Sequence, residues 1–261
     1  MNQWKIIKKG KIPKLRKPLL IEGLPGIGNV GKVAVDFIIE ETKAQKIYEI
    51  TSDAMPHSVF VNEKSLIELP SISVYCKKLK KNDLLFIAGD AQPIDERASY
   101  SFSETALDIL KSFGGNEVIT LGGIGLPAIP KKPKVYCTGT SKEAVMQYTK
   151  KASVEPKLYG VVGPIIGISG LLLGLAMRRS INGVSLLAET YGHPMYLGIR
   201  GAREIVKVLN DKFSLGINIA ELDREIKQLE AETEKNVQGA EVRQSLKNLA
   251  KKAGQEATYI G

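Results

Sequence analysis

Residues 23–32 combine closely spaced glycines with a lysine, a pattern that can hold a phosphate group. Gly26, Gly28 and Gly31 satisfy the G-x-G-x-x-G spacing, and Lys32 follows at once. Such a loop lets backbone N–H groups and the start of a helix face an anion. The residues also approach a P-loop pattern, but Val33 stands where Ser or Thr would hold Mg²⁺. The pattern therefore indicates either a nucleotide-binding loop or a tight turn that allows close packing of a helix on a strand.

Other side chains of catalytic type are few. His57 and His193 are isolated from one another, and no G-x-S-x-G nucleophile motif occurs. Two His and two Cys give too few ligands for the usual zinc site. Acidic residues follow several strand-like runs, where we interpret them as helix caps and loop anchors in preference to acid–base catalysts; they are Glu22, Asp90, Asp95, Glu96 and Glu189. We predict a non-catalytic protein with no metal and no cofactor.

The elements that must position these residues alternate between strand and helix patterns through residue 215. Residues 18–22 read as a buried strand, and apolar positions recur at helical spacing over 29–41. Residues 83–90 read as a buried strand, because they contain an unbroken apolar run that is typical of a parallel strand covered on both faces. A helix over 97–113 ends at two glycines. This alternation predicts an α/β core domain over 18–215, with a mostly parallel sheet wrapped by helices.

Charge and composition limit the class of protein. Residues 1–18 hold seven Lys/Arg and no acid, so we interpret 1–17 as a basic N-terminal arm. No nucleic-acid-binding motif accompanies it, and nucleic acid is not an expected partner. No apolar run is long enough to cross a bilayer. Cys76 and Cys137 lie in strand-like runs, as buried reduced cysteines do. These features predict a cytoplasmic protein without a membrane segment.

The last part of the chain, 216–261, changes to a helical composition rich in Glu, Lys, Gln, Ala and Leu. Ile219, Leu222, Ile226 and Leu229 follow a three-four heptad spacing, which weakens further on. A helix this polar is marginal alone, so it is expected to pack either on its own domain or on a partner chain. We favour the partner and predict that these four residues contact it.

Several segments together resemble the proteasome assembly chaperone family, especially its archaeal members. The resemblance covers roughly 17–213 and rests on four stretches in this order; they are 18–31 (Pro-Leu-Leu-Ile-Glu-Gly-Leu-Pro-Gly-Ile-Gly-Asn-Val-Gly), 89–93 (Gly-Asp-Ala-Gln-Pro), 121–123 (Leu-Gly-Gly) and the glycine-rich 160–174. The segment after 218 resembles the helical C-terminal extension of archaeal members. The resemblance implies a Rossmann-like three-layer α/β sandwich, homo-oligomerisation, and binding to proteasome subunits or a related complex without ATP hydrolysis.

The chain end departs from one family feature. Some members dock on the proteasome through a C-terminal hydrophobic-Tyr-X tripeptide, whereas this chain ends Tyr259-Ile260-Gly261, with the tyrosine third from the end. These three residues are still candidates for partner binding. The alternative to the chaperone or adaptor reading is a nucleotide-binding enzyme that uses loop 23–32.

Overall fold

The computed structural model describes residues 3–150, 154–155, 157–158, 160, 163–194, 196–224 and 226. Its strands are β1 Lys5–Lys8, β2 Leu19–Gly23, β3 Gln45–Thr51, β4 Phe60–Val61, β5 Ile67–Glu68, β6 Ile72–Lys77, β7 Leu84–Gly89, β8 Glu117–Leu126, β9 Val135–Gly139 and β10 Asn182–Tyr191. Its helices are α1 Val30–Glu41, α2 Glu96–Ser112, α3 Lys142–Thr149, α4 Ile168–Arg178 and α5 Ile199–Phe213, with a short 3₁₀ turn at Ile27–Asn29.

Most of the described strands join one mixed sheet in the order β1-β3-β6-β7-β2-β8-β10-β9. The four central strands β7, β2, β8 and β10 are parallel to one another. The flanking strands pair antiparallel, and β4 pairs only with β5 in a separate hairpin. The sheet is thus parallel at its centre, where buried apolar runs such as β2 and β7 are covered on both faces.

Helices cover both faces of the sheet. Successive side chains of β2 point in opposite directions: Glu22 contacts Ser169 of α4, whereas Gly23 lies against Val35 of α1. Helix α1 packs beside α5, and α2 packs beside α4. This arrangement confirms the predicted three-layer α/β sandwich.

The N-terminal segment is part of the sheet, a feature that the interpretation of 1–17 as a basic arm did not include. Strand β1 pairs antiparallel with β3. Trp4 is 2% exposed, its ring meets Phe102 edge-on at 5.1 Å, and its Nε1 donates to Ser101 Oγ at 2.8 Å. Burial of this one large side chain fixes the segment, while the lysines of β1 remain on the outside.

The chain divides into two compact units, residues 1–217 and 218–261. In the second unit, residues 219–224 are helical, and Asn218 Oδ1 accepts a hydrogen bond from the Ala220 amide at the start of this helix. Within the described residues, no helix has the length and apolar character needed to cross a membrane.

Candidate functional site

The four parallel strands end at one edge of the sheet, which we call the carboxyl edge, and they begin at the opposite amino edge. The loops after β2, β7, β8 and β10 therefore meet at the carboxyl edge, where open α/β sheets form their ligand crevices. The predicted ligand loop 23–32 is among them. The geometry of this loop distinguishes a nucleotide-binding loop from a tight turn that allows close packing of a helix on a strand.

Two of the predicted loop glycines have a steric reason to be glycine. Gly28 has φ +60° and lies against the Thr190 side chain, and its carbonyl accepts a hydrogen bond from the Gly198 amide at 2.7 Å. A Cβ at Gly31 would lie 2.4 Å from the Leu121 carbonyl oxygen. Gly26 differs, because its φ is extended and a Cβ there would meet open space. The loop is thus packed on the backbones of β8 and the β10–α5 connection.

Gly123, in a second glycine stretch, lets β8 lie directly against the same loop. A Cβ at Gly123 would lie 2.3 Å from the Ile27 carbonyl oxygen. Strand β8 continues through this glycine to Leu126. Because glycine leaves room for the loop of residues 23–29, the strand can extend beneath that loop without a clash.

Gln92, which follows β7, connects the loop to α4. Its side-chain amide donates to the Pro25 carbonyl, and its Oε1 accepts from the Ile168 amide at 3.0 Å. Gly167, at φ +85°, lies directly against the same side chain. One glutamine therefore joins three loops of the carboxyl edge. Gln92 belongs to the motif 89–93, but the residues it contacts, Pro25 and Ile168, are far away in sequence and could not be predicted from the motif.

Lys32, the residue that would face a phosphate, pairs instead with carboxylates. Its Nζ lies 2.8 Å from Asp36 Oδ2 and 3.5 Å from Asp90 Oδ1. Burial lowers the pKa of Lys32, but the hydrogen bonds and charges of Asp36 and Asp90 outweigh it and hold the pKa above its ordinary value. The lysine is charged, and two negative groups already surround that charge.

Glu22 is the most perturbed carboxyl group of this edge. It is fully buried, Oε1 accepts from the Leu24 amide at 2.9 Å, and Oε2 accepts from Ser169 Oγ at 2.9 Å. Burial raises the pKa of Glu22 to about 7, although both hydrogen bonds act to lower it. Thr120 and Ser185 continue this row across β8 and β10, and their buried hydroxyls have no hydrogen-bond partner among the described residues.

Two of the other acids, Asp95 and Glu189, have the capping and anchoring roles that were interpreted from the sequence. Asp95 Oδ1 caps α2 by accepting from the Ala98 amide at 2.6 Å. Glu189 accepts from the Lys134 amide at 2.9 Å and from Tyr136 Oη at 3.1 Å. No group of three metal-ligating side chains occurs within the described ranges. Cys76 and Cys137 are buried free thiols, and burial raises the pKa of both.

The carboxyl edge also carries exposed apolar side chains that the sequence analysis missed. One lies in each of the loops after β2, β7, β8 and β10, and one lies in the loop before α4. We call these five residues the apolar rim; its members, 46% to 84% exposed, are Ile27, Ile94, Ile129, Ile166 and Leu197. The β4–β5 hairpin stands in the connection that enters β6 at the same edge, with Phe60, Val61 and Ile67 exposed. In the sequence, each rim residue is an apolar residue next to Gly or Pro, and this pattern could have indicated an exposed apolar side chain in a loop.

The predicted partner-binding residues of the tail fall in the second unit. Leu222 and Ile226 are each 6% exposed, and Ile219 is half-buried. Leu229, Tyr259, Ile260 and Gly261 lie outside the described residues. The structure thus describes three of these seven candidates.

Comparison with known proteins supports the family resemblance. Residues 20–237 match the PAC2 family. The chain is 32% identical over 225 residues to the uncharacterised protein MJ1210 of Methanocaldococcus jannaschii, covering 86% of this chain and 84% of that one. Among solved structures it is similar to Pyrococcus furiosus PbaB, an archaeal proteasome activator, with TM-score 0.82 and 30% identity over 90% of this chain and 99% of that one.

A second structure from the same organism shares the fold. Pyrococcus furiosus PbaA, an archaeal homologue of proteasome-assembly chaperone, gives TM-score 0.73 at 23% identity and covers 96% of this chain and 98% of its own. The Rossmann-like arrangement, the glycine stretches at one sheet edge and the match over residues 20–237 agree with one another. The chain belongs to the PAC2 family.

Proposed function

We propose that this chain is a homo-oligomeric, ATP-independent chaperone or adaptor of the proteasome-assembly type. It binds proteins, catalyses no reaction, and works in the cytoplasm. Copies associate through the apolar rim, and the tail 216–261 contacts the partner complex. Membership of the PAC2 family supports the proposal, as does similarity to an archaeal proteasome activator and to a homologue of proteasome-assembly chaperone.

The apolar rim is the observation that carries the proposal. Its five side chains come from five separate loops at one edge of the sheet, and the exposed hairpin lies in another connection at that edge. We infer that these side chains form one apolar surface, which is uncommon on a monomer and is typical of a protein interface. Because interfaces between identical subunits are more apolar than transient ones, the rim fits self-association.

The loop geometry supports ATP independence. A P-loop offers its backbone amides and lysine to phosphate oxygens. Here Gly28 and Gly31 serve packing, Lys32 is paired with Asp36 and Asp90, and Val33 has no hydroxyl for Mg²⁺. A bound nucleotide would bring further negative charge towards those two carboxylates.

Co-migration with proteasome components tests the partner. The full chain and a version ending at Ser214 are incubated separately with purified archaeal 20S particles and with free α-subunits. We expect the full chain to co-migrate with one of them and the shortened chain to lose that contact while remaining oligomeric. Absence of co-migration in both incubations would refute the proteasomal role, and equal retention of both versions would refute the role of the tail.

Calorimetric titration separates the chaperone from a nucleotide-binding enzyme. We expect no heat of binding with ATP, with NAD or with nucleosides, in the presence or absence of Mg²⁺. Micromolar binding that is lost in Lys32→Ala would establish the enzyme reading instead.

A further inference from the structure

The amino edge carries a cavity of about 840 Å³. Its walls come from the segment before β2, the turn between β6 and β7, and the end of α5. This edge lies opposite the apolar rim, because the parallel strands that end at the rim begin here. A cavity of this size accommodates a ligand of several residues or a small molecule.

Five of the twelve described lining residues of the cavity are cations. They are Arg16, Lys78, Lys80, Lys81 and Lys212. The lining includes one carboxylate among the described residues, Glu117, and its Oε1 accepts a hydrogen bond from Tyr148 Oη at 2.6 Å. Lys78, Lys80 and Lys81 are exposed to solvent. The excess of positive charge favours an anionic ligand.

A buried carboxylate holds the cationic walls in place. Asp83 has no exposed side-chain surface, and its two oxygens accept from the Arg16 amide at 2.7 Å and the Leu79 amide at 3.0 Å. The Arg16 guanidinium also donates to the Leu79 carbonyl. These bonds fix the segment before β2 against the lysine-bearing turn. A site whose walls are already ordered loses less entropy when a ligand binds.

Lys212 is positioned from the other side. Its Nζ lies 3.6 Å from the centre of the Tyr148 ring and 3.2 Å from the Gln147 carbonyl oxygen. Tyr148 is itself buried and bonded to Glu117. The cation is therefore directed by a buried ring at the cavity wall.

The remaining lining distinguishes between kinds of anion. Leu19, Leu79 and Phe213 add apolar surface. None of the lining residues that the structure describes lies in the first turn of a helix, so this lining does not include the helix N-terminus that commonly binds phosphate. Phe213 is the only aromatic residue in the described lining, which is too little for stacking several bases.

We propose that the cavity of the amino edge binds an acidic peptide segment of a partner protein, with carboxylates facing the lysines and an apolar side chain on the Leu19–Phe213 wall. This site is distinct from the apolar rim. Its failure would leave the proposed function intact, because oligomerisation and capture of proteasome components are measured separately.

Fluorescence anisotropy tests the site with the full chain and a terminally blocked, labelled peptide of alternating Glu and Leu. We expect saturable binding that weakens as ionic strength rises. Lys80→Glu/Lys81→Glu should weaken it about tenfold. The matched control is Lys131→Glu/Lys132→Glu, which changes the net charge equally at the opposite edge, where both lysines are also exposed; it should bind as the unaltered chain does.

Three outcomes of the peptide titrations would overturn the proposal. They are no saturable binding of the peptide, equal loss in the two double variants, and equal binding of a peptide with Gln in place of Glu. A DNA or RNA oligonucleotide and inorganic pyrophosphate serve as competitors. Tighter binding of either than of the acidic peptide would also refute an acidic protein segment as the ligand. Circular dichroism of both double variants confirms that they are folded before binding is compared.

Discussion

The two edges of the sheet differ in what they carry. At the carboxyl edge, loops pack on one another through glycines and a shared glutamine, and apolar side chains are exposed. At the amino edge, the buried Asp83 fixes two walls of a cationic cavity to each other. Both edges belong to the same strands. Because a parallel sheet sends all its loops of one kind to one edge, the two edges can carry different chemistry. The difference suggests a self-association surface on one edge and a charged recognition surface on the other.

The largest effect is expected at the carboxyl edge, where Gly31 packs against the backbone of β8. Gly31→Ala places a Cβ 2.4 Å from a backbone carbonyl, so we expect a loss of about 4 kcal/mol in the free energy of unfolding. Gly174→Ala is the matched control, since Gly174 is also helical but its Cβ would meet open space; it should gain about 0.5–1 kcal/mol from helix propensity. Urea denaturation measures both, and similar values for the two variants would contradict the packing account.

We expect the buried Glu22 at the carboxyl edge to make the free energy of unfolding depend on pH. Burial raises its pKa in the folded state from an ordinary 4.5 to about 7. Protonated Glu22 therefore makes its full contribution to the free energy of unfolding below pH 4.5, and about 3 kcal/mol of that free energy is lost as the pH rises to 7. Glu22→Gln cannot ionise and should remove this component. If the difference in unfolding free energy between the two proteins is constant across that range, the buried carboxyl does not titrate as described.

Asp83 is the corresponding test at the amino edge. Asp83→Ala leaves the Arg16 and Leu79 amides without their acceptor, and we expect a loss of about 2 kcal/mol. The acidic peptide should also bind more weakly, because the cationic walls are no longer fixed to each other. Thermal unfolding combined with anisotropy tests this, and full peptide affinity in a destabilised variant would show that the walls do not need the anchor.

Lys32 should have the smallest effect. Its partners Asp36 and Asp90 are about half exposed, so the solvent screens both ion pairs. We expect Lys32→Met to change the free energy of unfolding by about 0.5 kcal/mol and to leave the oligomer unchanged. A loss several times larger, or a changed oligomer, would mean that the lysine has a role beyond these pairs.

Much of the fold was predictable because apolar runs and glycines act locally. The strand at residues 83–90 and the helix over 97–113 correspond to β7 and α2 with shifts of one residue at each end. Strand β1 was missed because its lysines suggest an exposed arm, while its attachment depends on Trp4 meeting Phe102 far along the chain. The length of β8 could not be predicted from the sequence, because glycines such as Gly122 and Gly123 usually end strands.

The candidate sites were harder to predict because their contacts join distant segments. Glu22 was noted as an acid at a strand end, but its raised pKa depends on Ser169 and on burial beneath α4. The rim residues are single apolar side chains in five loops, and only the sheet topology brings them to one edge. The cationic cavity likewise joins residues from both ends of the α/β core.

The molar mass in solution, measured by light scattering, tests the central claim most directly. We predict that the full chain has the mass of a dimer or a higher whole-number multiple of 28.5 kDa, and that Ile94→Asp/Ile166→Asp at the apolar rim has a lower multiple. Met146→Asp/Met177→Asp, which adds the same charge at exposed apolar positions on α3 and α4, should leave the mass unchanged. A full chain of 28.5 kDa, or an oligomer that both double variants dissociate equally, would contradict self-association through the rim.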